Sequence, residues 1–119
     1  MQGLTILITT DDRVRFRAAL SLACAQAALG GRVRIFCQEE AAVLLANRPD
    51  ADADRLQSSG LADIPALIDA ARDIGVELIV CQSGLSAARL GLDVLIPGVE
   101  SGGVIGILAT LGEDRLVIA

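Results

Sequence analysis

Val76-Glu77-Leu78-Ile79-Val80-Cys81-Gln82-Ser83-Gly84 decides how this chain folds. A short, β-branched, apolar run ends at a thiol and passes directly into residues able to turn and open a helix. Ahead of it, Asp63 to Ile74 carries Ile64, Leu67, Ile68 and Ala71 at helical spacing, and Gly75 stops that segment. An amphipathic helix feeding a buried strand that feeds another helix is one period of a βαβ chain, and such chains build mainly parallel sheets.

The same period recurs on the N-terminal side. Leu4-Thr5-Ile6-Leu7-Ile8-Thr9 reads as a buried strand, followed by Thr10-Asp11-Asp12, where Thr10 or Asp11 is positioned to cap a helix from Arg13 to Leu29. Gly30-Gly31 ends that helix, and Val33-Arg34-Ile35-Phe36-Cys37 forms the second strand. Gln38 to Ala46 favours a helix, and Asn47 to Gly60 is the least structured tract. Downstream of Gly84 the pattern predicts a short helix over Leu85–Leu90, a strand or turn over Val94–Pro97, a helix over Ser101–Leu111 and a closing strand over Arg115–Ile118. There is no internal repeat and no linker, so residues 1–119 read as one α/β domain with about five strands.

Composition narrows the chemistry. Hydrophobic residues make up 53% of the 119, enough for one packed core, yet the only aromatics are Phe16 and Phe36. The net charge is −5 and every cation is an arginine, so neither a basic stripe nor stacking rings offer a nucleic-acid surface. No lysine means no Walker loop, and G-x-G-x-x-G is missing. No histidine means no Ser-His-Asp or Cys-His pair, and Cys24, Cys37 and Cys81 lack the short spacing of a metal site. No cofactor or metal is implied. An odd, scattered set of cysteines, no signal-peptide pattern and no apolar run long enough to span a bilayer together predict a cytoplasmic protein.

In open parallel sheets, ligands bind beyond the carboxyl ends of the strands. Those ends are Thr9-Thr10-Asp11-Asp12, Cys37-Gln38-Glu39 and Cys81-Gln82-Ser83-Gly84. Cys81 is the best placed thiol, because free N–H groups and the positive end of a helix dipole stabilise negative charge on sulfur. Cys24, inside an apolar helix, reads as a small hydrophobe. If the first strand lies between the second and third, about 9.6 Å of lateral distance separates Cys37 from Cys81, beyond the roughly 6.8 Å limit for a disulfide. Pro97-Gly98-Val99-Glu100-Ser101-Gly102-Gly103 reads as a turn with Ser101 as N-cap, whose N–H groups are suited to an anion or a persulfide. Both Ala18–Leu29 and Ser101–Leu111 are apolar on nearly every face, which points to burial by a partner subunit.

Taken in order, Leu4–Thr10 with Asp11-Asp12, Ala28-Leu29-Gly30-Gly31, Val33–Phe36, Val80-Cys81-Gln82-Ser83-Gly84-Leu85, Gly91-Leu92 and Pro97–Gly103 resemble the DsrE/DsrF/DsrH-like family of small sulfur-relay proteins, which includes the Tus components. The resemblance implies a three-layer α/β/α fold and a homo- or hetero-oligomer, a trimer or hexamer. It also implies a sulfurtransferase role in which the cysteine matching Cys81 carries persulfide sulfur between donor and acceptor proteins. Thr10, Asp11, Gln82, Ser83, Gly84, Ser101 and Gly102 would then surround that thiol. Cys37-Gln38-Glu39-Glu40 departs from the family's more aromatic segment at that place. Two other readings of the residues stand beside it: a redox or peroxide-responsive thiol protein, and a non-enzymatic oligomeric binding module with an inert Cys81.

Overall fold

The computed structural model describes all 119 residues as a five-stranded, fully parallel sheet with helices on both faces. The strands are β1 (Leu4–Ile8), β2 (Val33–Cys37), β3 (Glu77–Cys81), β4 (Glu100–Gly102) and β5 (Arg115–Ile118), in the spatial order β4-β3-β2-β1-β5. The helices are α1 (Arg13–Ala28), α2 (Ala53–Ser58), α3 (Ile64–Asp73), α4 (Gln82–Ala87) and α5 (Val104–Ala109), with 3₁₀ turns at Glu39–Leu45 and Leu92–Val94.

This order explains the layering. From β1 through β4 the chain steps always toward the same edge, so right-handed crossovers stack their helices on one face. The return from β4 at one edge to β5 at the other runs the opposite way and carries α5 onto the second face. The first face is thick: Ile6, Ile8, Ile35, Cys37, Leu78 and Val80 of the sheet pack with Phe16 and Leu20 of α1 and Ile64 and Ile68 of α3. The second is thin. Only Phe36, Ile79, Cys81 and Ile107 form its buried cluster, with Leu7 and Val104 packed against them.

Several expectations are corrected. The second strand lies between the first and the third, rather than the first between the second and the third, and all five residues of this central strand are buried. That includes Arg34. Its guanidinium donates to Thr5 Oγ1 (3.1 Å), Thr110 Oγ1 (2.6 Å) and the Ile107 carbonyl (3.2 Å), so each nitrogen of this buried cation has a partner and the group ties the end of α5 to the sheet. The final helix begins at Val104 rather than Ser101. Glu100–Gly102 instead pairs with Ile79–Cys81, because the edge of β3 needs a partner for its backbone groups, and Gly103 then starts the helix without a side-chain cap. Between Asn47 and Gly60, α2 forms a single short helix.

No helix of the chain is long and apolar enough to cross a membrane. The alanine-rich α1 buries one stripe, Phe16, Ala19, Leu20, Ala23 and Gln26, and leaves Leu22 and the following Leu29 exposed.

Candidate functional site

Cys81 is the last residue of β3 and the N-cap of α4, so the strand passes into the helix with no loop between them. Its φ of −70° and ψ of 122° are extended, and its Sγ accepts the Gly84 N–H at 3.4 Å. That bond satisfies one of the donors left free at any helix start. Side chains alternate along a strand, so Cys81 shares the second face with Ile79 and packs with Phe36 and Ile107. It is buried, with 7% of its surface exposed.

The other two thiols are placed differently. Cys37 ends β2 on the first face, 0% exposed, and burial pushes its thiol well up from the ordinary range. Cys24 lies part-way out on α1, and burial raises it too. All three cysteines are free.

The residues expected around Cys81 divide into two groups. Asp11, Ser83 and Gly84 line one cavity of about 550 Å³, completed by Glu39, Glu40 and Val43 of the 3₁₀ turn. Gly84 makes this possible: a Cβ there would strike the Glu39 carbonyl oxygen, so only glycine lets α4 approach that backbone. Ser101 and Gly102 lie along a groove on the other face, with Arg34, Ile79 and Ile107. Gly102 sits opposite Cys81 in the ladder, and Gln82 Nε2 reaches Ser101 Oγ at 3.4 Å across the strand ends. Cys81 lines neither space.

Two cap assignments change. Asp12, rather than Thr10 or Asp11, caps α1, its Oδ1 accepting the Arg15 N–H at 3.0 Å. Thr10 Oγ1 accepts the Asp12 N–H at 3.2 Å, which leaves Thr10 in the turn and outside both spaces. Ser101 cannot cap a helix from within β4, and α5 starts instead after Gly103, which offers no side-chain cap. The sequence pattern marked the strand end at Cys37-Gln38-Glu39 but did not show that Glu39 and Glu40 form the acidic wall beside α4. Glu39 has a positive φ of 50°, a turn that composition does not announce. No three residues among His, Cys, Asp and Glu gather as a metal-holding group.

No family model matches the chain, and no curated protein matches it in sequence. Two solved structures match it over 100% of both chains: the ychN protein from E. coli, 19% identical with a TM-score of 0.76, and MTH1491 from Methanobacterium thermoautotrophicum, a protein of unknown function, 20% identical with a TM-score of 0.72. At such identity the likeness speaks to the fold, and the chain shares with these two structures the three-layer α/β/α fold that its sequence resemblance implied.

Proposed function

We propose that the chain is a cytoplasmic sulfur carrier that holds persulfide sulfur on Cys81 within a homo-oligomer. The observation that supports this most is the contrast among the thiols: Cys81 alone stands at a strand's carboxyl end with an N–H donor on its sulfur, whereas Cys37 is sealed in the core. The fold shared with ychN and MTH1491 is consistent with the reading, as is the sequence resemblance.

In this mechanism the Cys81 thiolate attacks the outer sulfur of a donor persulfide. The new S–S bond forms as the donor's S–S bond breaks, and the donor leaves as a thiolate that takes a proton from water. An acceptor thiolate then attacks the outer sulfur of the Cys81 persulfide and releases the Cys81 thiolate, so no net oxidation occurs. Neither step calls for histidine, and the chain has none. The oligomer is supported by four large apolar side chains left uncovered around the thin face, Ile105, Leu108, Leu116 and Ile118, of which Ile105 is 87% exposed.

Mass spectrometry after incubation with a small-molecule persulfide tests the carrier. The expected result is one added sulfur on Cys81 that is lost in Cys81→Ser and passed on to an added thiol. An alkylatable Cys81 that takes up no sulfur overturns the reading, and oxidation to a sulfenic acid by dilute peroxide under the same conditions would favour a redox thiol instead. Light scattering tests the assembly, and a monomer mass would count against it.

A further inference from the structure

The chain carries ten arginines against fifteen acids, yet three of the arginines converge on one cleft of the α1/α3 face. Arg13, Arg48 and Arg72 line it, and Asp69 is the one carboxylate among its lining residues. Arg13 is held at 3.6 Å by Asp50. Arg48 and Arg72 form no ion pair with any carboxylate of the chain and donate no side-chain hydrogen bond within it.

Arg72 is the telling member. It is half-buried on the last turn of α3, and its guanidinium lies over Gly98, where a Cβ would come within 3.1 Å of Nη2. Gly98 has a φ of 83°, so the turn beneath Arg72 is built on a conformation that favours glycine. A guanidinium partly withdrawn from water normally finds a carboxylate or carbonyl, since its five donors are costly to leave unpaired. The Arg72 donors meet solvent rather than a partner in the chain, which leaves them free to take one up.

The floor of the cleft is aliphatic, formed by Ile64 and Ile68 of α3 and by Ile96. Its volume is about 180 Å³. That is roughly six times the share of one liquid water and well below the range of about 300–1,000 Å³ for drug-sized ligands. The net charge of the lining is positive in a protein whose own charge is −5.

From these features we propose that the cleft binds a small organic oxyanion. Its acidic head, a carboxylate or a phosphate monoester, pairs with Arg48 and Arg72, and its short aliphatic body lies on Ile64, Ile68 and Ile96. Arginine suits such a head because its planar fork meets two oxygens at once. The proposal is independent of Cys81, whose side chain is on the opposite face of the sheet.

Titration calorimetry of the full chain at low salt tests it, with butyrate and butyl phosphate as probes and inorganic phosphate and 1-butanol as partial ligands. Saturable binding of butyrate or butyl phosphate is expected, with neither partial ligand matching it. Whichever of the two probes binds identifies the head group. Arg72→Gln should weaken binding by about tenfold or more, while Arg15→Gln, an exposed arginine on α1 outside the cleft, should leave it unchanged. Circular dichroism establishes that both variants are folded. If neither probe saturates, or if Arg72→Gln and wild type bind alike, the proposal fails. Inorganic phosphate binding as tightly as butyl phosphate would also overturn it, by removing the role of the apolar floor. If Arg48→Gln with Arg72→Gln lowers the assembly mass and no probe binds, the arginines are a subunit contact and the site does not exist.

Discussion

Cys37 and Cys81 end neighbouring strands one register step apart, yet their side chains lie on opposite faces of the sheet. Val80 is the residue opposite Cys37, and both pack in the large core, while Cys81 belongs to the small cluster beneath α5. One strand spacing with one residue of offset puts the two Cα atoms about 5.8 Å apart, a separation a disulfide tolerates. It is the pleat that forbids the bond. Mild oxidation is therefore expected to leave the intramolecular pair unjoined, and non-reducing peptide mapping should find no peptide linking residues 37 and 81. Recovery of that crosslink from folded protein would contradict the facing of the two strands.

The cap at Cys81 separates its structural role from its chemical one. A serine hydroxyl also accepts an N–H at a helix start, so Cys81→Ser should change unfolding free energy by less than about 1 kcal/mol. Cys81→Ala loses the acceptor and some contact with Phe36 and Ile107, and a loss of about 1–2 kcal/mol is expected in urea titrations. Both should abolish sulfur uptake. A serine variant that kept it would move the carrier role to another thiol.

Gly84 makes the sharpest packing test. Adding one methyl group places it against the Glu39 carbonyl oxygen, and neither α4 nor the 3₁₀ turn can yield without moving backbone. Gly84→Ala should therefore destabilise the fold by about 1–3 kcal/mol, the usual range for overpacking, even though alanine is the better helix former. A denaturant midpoint equal to or above that of wild type would show that the two segments are not in contact.

How far all this was legible in the sequence depends on which interaction sets each feature. Strands and the long helices were legible because short runs rich in Val, Ile, Leu and Phe are bounded by turn and cap residues: Val33–Cys37 and Arg115–Ile118 match the expected bounds, and α1, stopped by Gly30-Gly31, ends one residue short of the expected Leu29. The strand order was not. Common doubly wound orders put the first strand between the second and third, and Val33–Cys37, interrupted by Arg34, carries no local mark of the central place it holds. Only the partners of Arg34, Thr5 from β1 with Thr110 and Ile107 from the far end of the chain, make a charged residue acceptable there, and no local pattern reports them. The Ser101 cap failed for a similar reason, since Ser-Gly-Gly reads as a helix start until β3 supplies a neighbour to pair with it.

Arg34 also controls the cover over Cys81. It holds α5 through the Ile107 carbonyl and Thr110, and Ile107 packs on the cluster that includes Cys81. Arg34→Met should cost about 1–3 kcal/mol by leaving buried acceptors unpaired, and should speed alkylation of Cys81 without exposing Cys37, which lies under the other layer. Timed labelling followed by mass spectrometry reads both thiols in one sample. Equal acceleration at the two sites would mean global unfolding rather than release of α5.

Acid stability should be governed in part by Asp50, which joins the start of α2 to the start of α3. Its burial alone would raise the carboxyl, but the backbone N–H groups of Ile64 (3.0 Å) and Asp52 (2.9 Å) and the charge of Arg13 outweigh it and hold the group below its ordinary 3.8. A carboxyl depressed in the folded state binds protons more readily when unfolded, so its stabilisation is fully present above the ordinary value and is lost as pH falls through the folded one. Wild-type protein should therefore lose thermal stability steeply below about pH 4. Asp50→Asn should start lower at neutral pH and lose less across that acid range, because its amide does not titrate and can still accept one of the two N–H bonds. Parallel slopes for the two proteins would show that the acid sensitivity arises at other carboxylates.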